Sequence, residues 1–370
     1  VTKEFQKTIM RIEKIDFLTN EERVLGFEKD WKEGTVEIVL HPADEINEVF
    51  IDKLKKNLKK DFLIKEYKGG PTFISLKLNL NELKYLSKYN LIRTIHPLRA
   101  LKLKVLRDKN YEYLPKKNFE FQDPITKIGI FDGGINKKID LLSGLVEEIE
   151  CVEEEKCEEG AFHGTIVSGA ALYGSLDFNK KEIIECPKIG IEHFRVFPIK
   201  NMNYDLYEII DIIEKVVPKN KNIKVYNISF GPPGPILDDS ISRFTYALDK
   251  LAYEEDVLFV VAAGNDGEDF LNRIQSPADL VNGLGVGAYT YNGKNIERAQ
   301  YSCIGDGREG SKIKPDLLAF GGCNNYPFYG INKKAEAIFG TSFAAPIIAG
   351  LAGKMMSISD ELTPQTKKAY

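Results

Sequence analysis

Gly340-Thr341-Ser342-Phe343-Ala344-Ala345-Pro346 leads into a mostly apolar run, 347–356, that carries Ala349, Gly350, Ala352 and Gly353. Small residues at this density on an apolar segment predict a buried helix lying close against its neighbours. Ser342 stands where that helix begins, after a glycine-bearing turn. The first-turn amides of a helix have no partner within it and sit at the positive end of its dipole. A hydroxyl there is placed to act as a nucleophile beside a donor for developing negative charge. Pro346 is read as tolerated because the first turn needs no donor from it. The plainer reading, a serine that only caps a helix, fits the same seven residues. The rest of the chain decides between them.

Three other stretches bear on that choice. Lys127-Ile128-Gly129-Ile130-Phe131-Asp132-Gly133-Gly134 is a short apolar strand ending in a carboxylate and two glycines. His163-Gly164-Thr165-Ile166-Val167-Ser168-Gly169-Ala170 sets a histidine at the opening of a small-residue helix. Phe259-Val260-Val261-Ala262-Ala263-Gly264-Asn265-Asp266-Gly267 is a buried strand that delivers an asparagine into a turn. Singly, Asp132 and Asn265 are turn formers and His163 is a structural histidine. Together, in the chain order Asp, His, Asn, Ser, they resemble the subtilisin-like serine proteases, the subtilases, over roughly residues 120–370.

The resemblance continues outside these four residues. Asn227-Ile228-Ser229-Phe230-Gly231 is similar to the family's substrate-lining strand, and Ser276-Pro277-Ala278 and Lys314-Pro315-Asp316 also match. Two departures stand out: Gly133 where threonine is common, and Ala319-Phe320-Gly321 where Ala-Pro-Gly is common. The resemblance implies a three-layer α/β domain with a mainly parallel sheet. It implies Asp132, His163 and Ser342 as catalytic residues, and the Asn265 side chain with the Ser342 backbone N–H as the oxyanion hole. Ser229, Phe230, Gly231 and Gly264 are implied to bind substrate. The residue types suit acyl transfer, since a neutral serine needs a base, the base an orienting carboxylate, and the oxyanion a pair of donors. The implied activity is a serine endopeptidase acting through an acyl-enzyme on protein or peptide substrates, with no metal. The alternative is a catalytically silent subtilase-fold binding or scaffold protein, against which every catalytic role having a candidate speaks.

Periodicity predicts strands over 127–131, 223–230 and 257–263, and helices near 164–173, 205–216, 239–253 and 342–357. That alternation is α/β, with Asp132 and Asn265 at carboxyl ends of strands, where such sheets place functional residues. Gly283-Leu284-Gly285-Val286-Gly287 superficially suggests a nucleotide loop, but it lacks the following helix and lysine and reads as a structural strand.

The charge divides near residue 118. Residues 1–118 carry 25 basic and 18 acidic side chains, net +7, and residues 119–370 carry 26 and 37, net −11. Two domains are expected, 1–118 and 119–370. In the first, Gly34 to Leu40 alternates as a strand, and 47–59 places Val49, Phe50, Leu54 and Leu58 on a helical face. Phe62 to Lys68 and Thr72 to Leu78 flank a Gly69-Gly70-Pro71 turn, Asn81 caps a helix over 82–89, and Leu91 to His96 returns as a strand. The order βαββαβ is ferredoxin-like. It resembles the inhibitory propeptide domain of subtilases, which implies an intramolecular inhibitor or chaperone whose following segment, within 97–117, enters the active-site cleft. A permanent accessory domain is the alternative.

Residues 147–159 contain eight glutamates, read as a solvated loop or as an acidic rim favouring basic substrate side chains, with calcium as a further candidate ligand. The five cysteines form no CxxC pair, and no signal-like start or membrane-length apolar run is present, so a cytoplasmic setting is expected. The basic excess lacks a nucleic-acid module. A resemblance to bacterial intracellular subtilases encoded beside an AAA ATPase adds such an ATPase as an expected partner. The chain ends 28 residues after Ser342, where subtilases usually continue, so a further carboxyl-terminal region is expected.

Overall fold

A computed structural model describes residues 2–10, 18–101, 106–111, 114–117, 124, 126–176, 183–197, 205–268, 272–308, 313–332, 335–358 and 363. The chain divides into two compact units, Val1–Leu98 and Arg99–Tyr370. The segment 99–118, which the charge count groups with the amino-terminal part, falls in the second unit.

The first unit contains α1 (Lys3–Ile9), β1 (Glu33–Leu40), α2 (Asp44–Leu58), β2 (Leu63–Glu66), β3 (Thr72–Asn79), α3 (Leu80–Leu86) and β4 (Ile92–Pro97). Its sheet has the order β2-β3-β1-β4 with every pair antiparallel. Ile38, Ile74, Leu76 and Ile95 from the strands share a core with Phe50, Ile51, Leu54, Leu83 and Leu86 from the helices. Val49, expected on the helical face, is 71% exposed. At 100° per residue, positions 50, 51, 54 and 58 form one stripe and 49 turns away from it. The cap of α3 is Asn79, not Asn81: its side chain accepts from Asn81 N at 2.9 Å and Glu82 N at 3.0 Å, and Glu82 accepts in return from Asn79 N at 2.8 Å. That reciprocal box requires a spacing of three before the glutamate, which Asn79 has.

The second unit begins with β5 (Leu106–Tyr111), β6 (Lys116–Lys117), β7 (Thr126–Asp132), β8 (Val146–Glu150), α4 (Glu158–Tyr173), β9 (Ile183–Ile184) and β10 (Ile189–Arg195). It continues with α5 (Leu206–Val216), β11 (Val225–Ile228), α6 (Arg243–Glu255), β12 (Leu258–Ala262), β13 (Leu284–Asn292) and β14 (Asn295–Arg298). After these come β15 (Gly305–Asp306), β16 (Ile313–Lys314), β17 (Leu317–Phe320), β18 (Phe328–Ile331), β19 (Ala335–Phe339) and α7 (Thr341–Ile358). The main sheet runs β14-β13-β12-β11-β7-β10-β8, with β17 beside β13, and only the β13–β14 pair is antiparallel.

Strand order explains where the site lies. From β7 the chain goes out to β8 at the edge, comes back to β10 between the two, then crosses to the other side of β7 for β11, β12 and β13. The crevice at the carboxyl ends of β7 and β11 is therefore the topological switch point, the usual ligand position in such sheets. One face of the sheet, with Ile128, Ile130, Leu258 and Val260, packs under α4 and α7. The other carries a row of stacked aromatics across four strands: Phe194, Phe131, Tyr226 and Phe259 at 5.2, 5.6 and 5.7 Å. Helices α5 and α6 lie on that side. The small residues of α7 set its depth: a Cβ on Gly350 would lie 2.1 Å from Ala171 O of α4, and one on Gly353 2.5 Å from Ile128 of β7. Glycine is thus required for α7 to reach both, and this contact fixes the start of α7 near the end of β7.

Candidate functional site

Asp132 is the last residue of β7 and has no solvent exposure. Its Oδ1 accepts from Gly133 N at 2.7 Å, and both carboxylate oxygens lie 2.9 Å from His163 Nδ1. A carboxylate can only accept, so the proton is on Nδ1 and the lone pair of His163 is on Nε2. The ring lies 5.9 Å from that of Phe343, the residue after Ser342. His163 does not open its helix, as the sequence suggests; α4 starts at Glu158 and His163 sits in its second turn. Glu158 and Glu159 favour the positive end of the helix dipole, which extends the helix into a stretch that reads as a charged loop.

Ser342 is the second residue of α7 and is buried. Its Oγ donates to Ser229 O at 3.1 Å, and Ser229 Oγ donates back to Ser342 O at 3.0 Å while accepting from Asn227 Nδ2 at 2.9 Å. This pair corrects the reading of Pro346. Because α7 begins at Thr341, Pro346 is its sixth residue, past the first turn, and lacks the N–H that would bond Ser342 O. The hydroxyl of Ser229 supplies the missing donor.

Asn265 follows β12. Its Oδ1 accepts from Thr341 N and from Thr341 Oγ1, each at 2.9 Å, and Gly264 N donates to Thr341 Oγ1 at 3.3 Å. With the carbonyl end held by two donors, the side-chain NH2 of Asn265 is directed away from Thr341 and is available to an acceptor. The first-turn amide of Ser342 is likewise unpaired by its helix. Gly264 has φ +108, and a Cβ there would lie 2.4 Å from Gln275 Oε1. Gly231 approaches Ser276 O in the same way, at 2.2 Å from an added Cβ. Phe230 is buried between Phe197 and Phe244, with ring centroids 4.8 and 5.9 Å away. Its side chain is thus a core element, while its backbone continues the strand edge.

Four consecutive amides after Asp132 are each held by a side-chain acceptor. Gly133 N donates to Asp132 Oδ1, Gly134 N to His193 Nε2 at 3.1 Å, Ile135 N to Glu148 Oε2 at 2.5 Å, and Asn136 N to Thr165 Oγ1 at 2.7 Å. Glu148 is buried and also accepts from Lys156 Nζ at 2.5 Å. Burial raises its carboxyl, but the bonds from Lys156 and Ile135 outweigh that and leave it below the ordinary value. Two further glutamates of the expected acidic rim are also in ion pairs: Glu147 meets Lys127, Glu150 meets Arg195, and Arg195 holds the carbonyls of Val152 and Glu154. The other five, Glu153, Glu154, Glu155, Glu158 and Glu159, are exposed. Among the described residues, no group of three or more His, Cys, Asp or Glu is placed to hold a metal ion.

Both departures from the family pattern have local causes. A Cβ on Gly133 would fall 2.3 Å from Gly160 Cα, so the early start of α4 leaves no room for threonine. Phe320 packs among Tyr289, Tyr291 and Phe328 at 5.5 to 6.2 Å, contacts a proline would lack. Sequence reasoning missed His193, Glu148, Thr165 and Thr341. Thr341 lay inside the quoted motif, and His193, one of four histidines, interrupts an apolar strand, which is the signal that marks it.

Known proteins resemble this chain in sequence and in fold. The Subtilase family model matches residues 125–370. The membrane-bound transcription factor site-1 protease of Rattus norvegicus is 27% identical over 241 residues, which cover 62% of this chain and 21% of that protein. Subtilisin-like protease PopC of Myxococcus xanthus is 32% identical over 161 residues, covering 38% of this chain and 30% of that protein. The chain thus spans between a fifth and a third of the length of these two relatives. Among solved structures, fervidolysin from Fervidobacterium pennivorans, a keratinolytic enzyme related to subtilisin, gives a TM-score of 0.55 at 18% identity, covering 92% of this chain and 57% of that one. The epidermin leader peptide processing serine protease EpiP from Staphylococcus aureus gives 0.54 at 20% identity, covering 88% of each chain. At these identities the likeness is one of fold. Because the family model takes in well over half of the chain, including Asp132, His163, Asn265 and Ser342, the chain belongs to the subtilase family.

Proposed function

We propose that the chain is a serine endopeptidase in which Ser342 is the nucleophile, His163 the general base and acid, and Asp132 the residue that orients His163. The observation that carries this reading is the Asp132–His163 contact at 2.9 Å, which leaves Nε2 of a buried imidazole as a base beside α7, whose second residue is Ser342. Rotation of the Ser342 side chain off Ser229 O would bring its hydroxyl to Nε2; such bonds commonly tighten only when substrate binds. As the Ser342 oxygen bonds to the peptide carbonyl carbon, its proton passes to His163. His163 then returns the proton to the leaving amine as the C–N bond breaks, and water repeats the sequence on the acyl-enzyme. Asn265 Nδ2 and the Ser342 N–H bind the oxyanion, and the backbone of Ser229, Phe230, Gly231 and Gly264 lines the substrate. A fluorophosphonate probe should label the native chain or, more strongly, the chain freed of residues 1–98, and fail on Ser342→Ala in either; folded native and shortened chains that both take no label would overturn the proposal.

The amino-terminal unit is proposed as an intramolecular inhibitor or chaperone of the second. Its βαββαβ order from β1 to β4 supports this, as does the fervidolysin fold match, which extends well beyond 125–370. Within the second unit, Arg99 Nη1 lies 2.2 Å from where a Cβ on Gly234 would stand, beyond the Ser229–Gly231 edge. β5 pairs antiparallel with β19, which leads into Gly340 and Ser342. Residues 102–105 and 112–113 of the segment expected to enter the cleft lie outside the described residues. A chain lacking residues 1–98 should label faster than the full chain; if it is folded by circular dichroism and labels no faster, the inhibitory role is wrong. A cytoplasmic setting, supported by five free cysteines, and an AAA ATPase partner, supported by resemblance alone, belong to the same proposal.

A further inference from the structure

Of the four acceptors that hold residues 133–136, three are oxygens and one is an imidazole. His193 has no solvent exposure and lies on β10, opposite Ile130 of β7 and Glu148 of β8. A backbone N–H only donates, so the contact from Gly134 makes Nε2 the unprotonated nitrogen. The proton of the neutral ring is then on Nδ1 and is donated to Ser168 Oγ at 3.0 Å. Ser168 is on α4, the helix of His163. Gly164, next to His163, comes so close that a Cβ there would lie 2.2 Å from Gly134 O and 2.7 Å from His193 Cε1. The ring is wedged between the loop that follows Asp132 and the helix that carries His163.

We propose that His193 is a positioning residue for the Asp132–His163 pair: its neutral, Nδ1-protonated ring ties Gly134 to Ser168, and protonation at Nε2 removes the acceptor and releases the loop. The inference rests on the reading of Asp132 and His163 as the reacting pair. Asp132 from β7 and Glu148 from β8 favour the charged ring, whereas Lys156, preceding α4, and His163 on α4 oppose it. On its own strand, Glu192 pairs with Lys127 and Arg195 with Glu150. Burial exceeds all of these and pushes the imidazole down to about 4, so the tie is intact at neutral pH.

The full chain has four histidines, few enough for long-range proton–nitrogen NMR of every imidazole. His193 should show the Nδ1–H tautomer and no titration between about pH 8 and 5. An Nε2–H tautomer, or titration in the ordinary range, overturns the proposal whether or not the protein is active. A second arm compares His193→Gln, whose amide oxygen accepts from Gly134 and does not titrate, with His193→Leu, which accepts nothing. Fluorophosphonate labelling and the His163 signals are read in both. His193→Leu should slow labelling roughly 10- to 100-fold, the scale of an ångström-level misplacement, and shift the His163 signals. His193→Gln should stay within about threefold of native with those signals in place. Equal slowing in both, in a native chain that does label, sinks the positioning role and spares the protease reading. Absence of label on both the native chain and a folded chain lacking residues 1–98 sinks that reading instead, and the tautomer and titration then decide the tie itself. If His193→Leu does not fold, the NMR arm and the glutamine variant carry the test.

Discussion

Gly133 shows how a single missing methyl group can record the course of a neighbouring helix. Restoring the family's common residue, Gly133→Thr, drives a Cβ to within 2.3 Å of Gly160 Cα and must push the first turn of α4 away from Asp132. We expect a loss of about 1 to 3 kcal/mol in urea unfolding, the usual scale of overpacking; an unchanged midpoint would show that this turn yields freely. Asn265→Ala should lower kcat/KM about 100- to 1,000-fold through loss of an oxyanion donor, which steady-state peptide hydrolysis would measure. Ser229→Ala leaves Ser342 O without the donor that Pro346 cannot provide, and should cost about 1 to 3 kcal/mol of stability. Asp132, His163, Asn265 and Ser342 stood out in the sequence because acyl transfer would use those residue types in motifs of recognisable shape, and the structure sets Asp132 against His163. The Ser229–Ser342 exchange was not, because it joins positions 113 residues apart and depends on where α7 starts.

At the scale of elements, the strands and helices with clear periodicity were readable, but their ends were not, and β8 and β10, which carry charged residues at 147, 148, 150, 192 and 195, were not read at all. The amino-terminal order βαββαβ followed from alternation, turns and one apolar helical stripe, yet the cap of α3 shifted from Asn81 to Asn79 once the reciprocal bonds with Glu82 were formed. Asn79→Ala should therefore lower stability by about 1 kcal/mol, visible as a reduced melting temperature, whereas Asn81→Ala should change it far less. Helix α4 begins in an acid-rich stretch whose charges look like solvent exposure but suit a first turn. Between α5 and α6, the buried Arg243 lies over the Tyr207 ring at 4.4 Å and bonds Asp211 and Glu214 at 2.5 and 3.0 Å. No local pattern announces such a clamp, since its partners come from another helix.

For the whole molecule, acid is the condition to which this architecture is most exposed. The folded imidazole of His193 is held near 4 against an ordinary 6.5, so the native state binds fewer protons than the unfolded chain between those values. Its contribution is fully present above 6.5 and is lost as pH falls toward 4, amounting to roughly 3 kcal/mol at most. Glu148, depressed below its ordinary value, adds stability that is lost as pH falls further, while Asp249, raised chiefly by burial, works in the opposite sense. Urea midpoints should fall between pH 7 and 4.5, and His193→Gln should flatten that fall; parallel curves for the two proteins would contradict the assignment. The main sheet's class was legible from apolar strands alternating with helices, but the switch point between β7 and β11 was not, because strand order depends on contacts between segments that no periodicity encodes. The gripped amides of residues 133–136 also bear on the molecule's timekeeping. A loop outside any strand or helix would ordinarily trade its amide hydrogens with deuterated water at once, yet this one should hold them as a helix does. Its deuterium uptake then becomes a clock for opening of the joint between β7 and α4, read by mass spectrometry without any substrate.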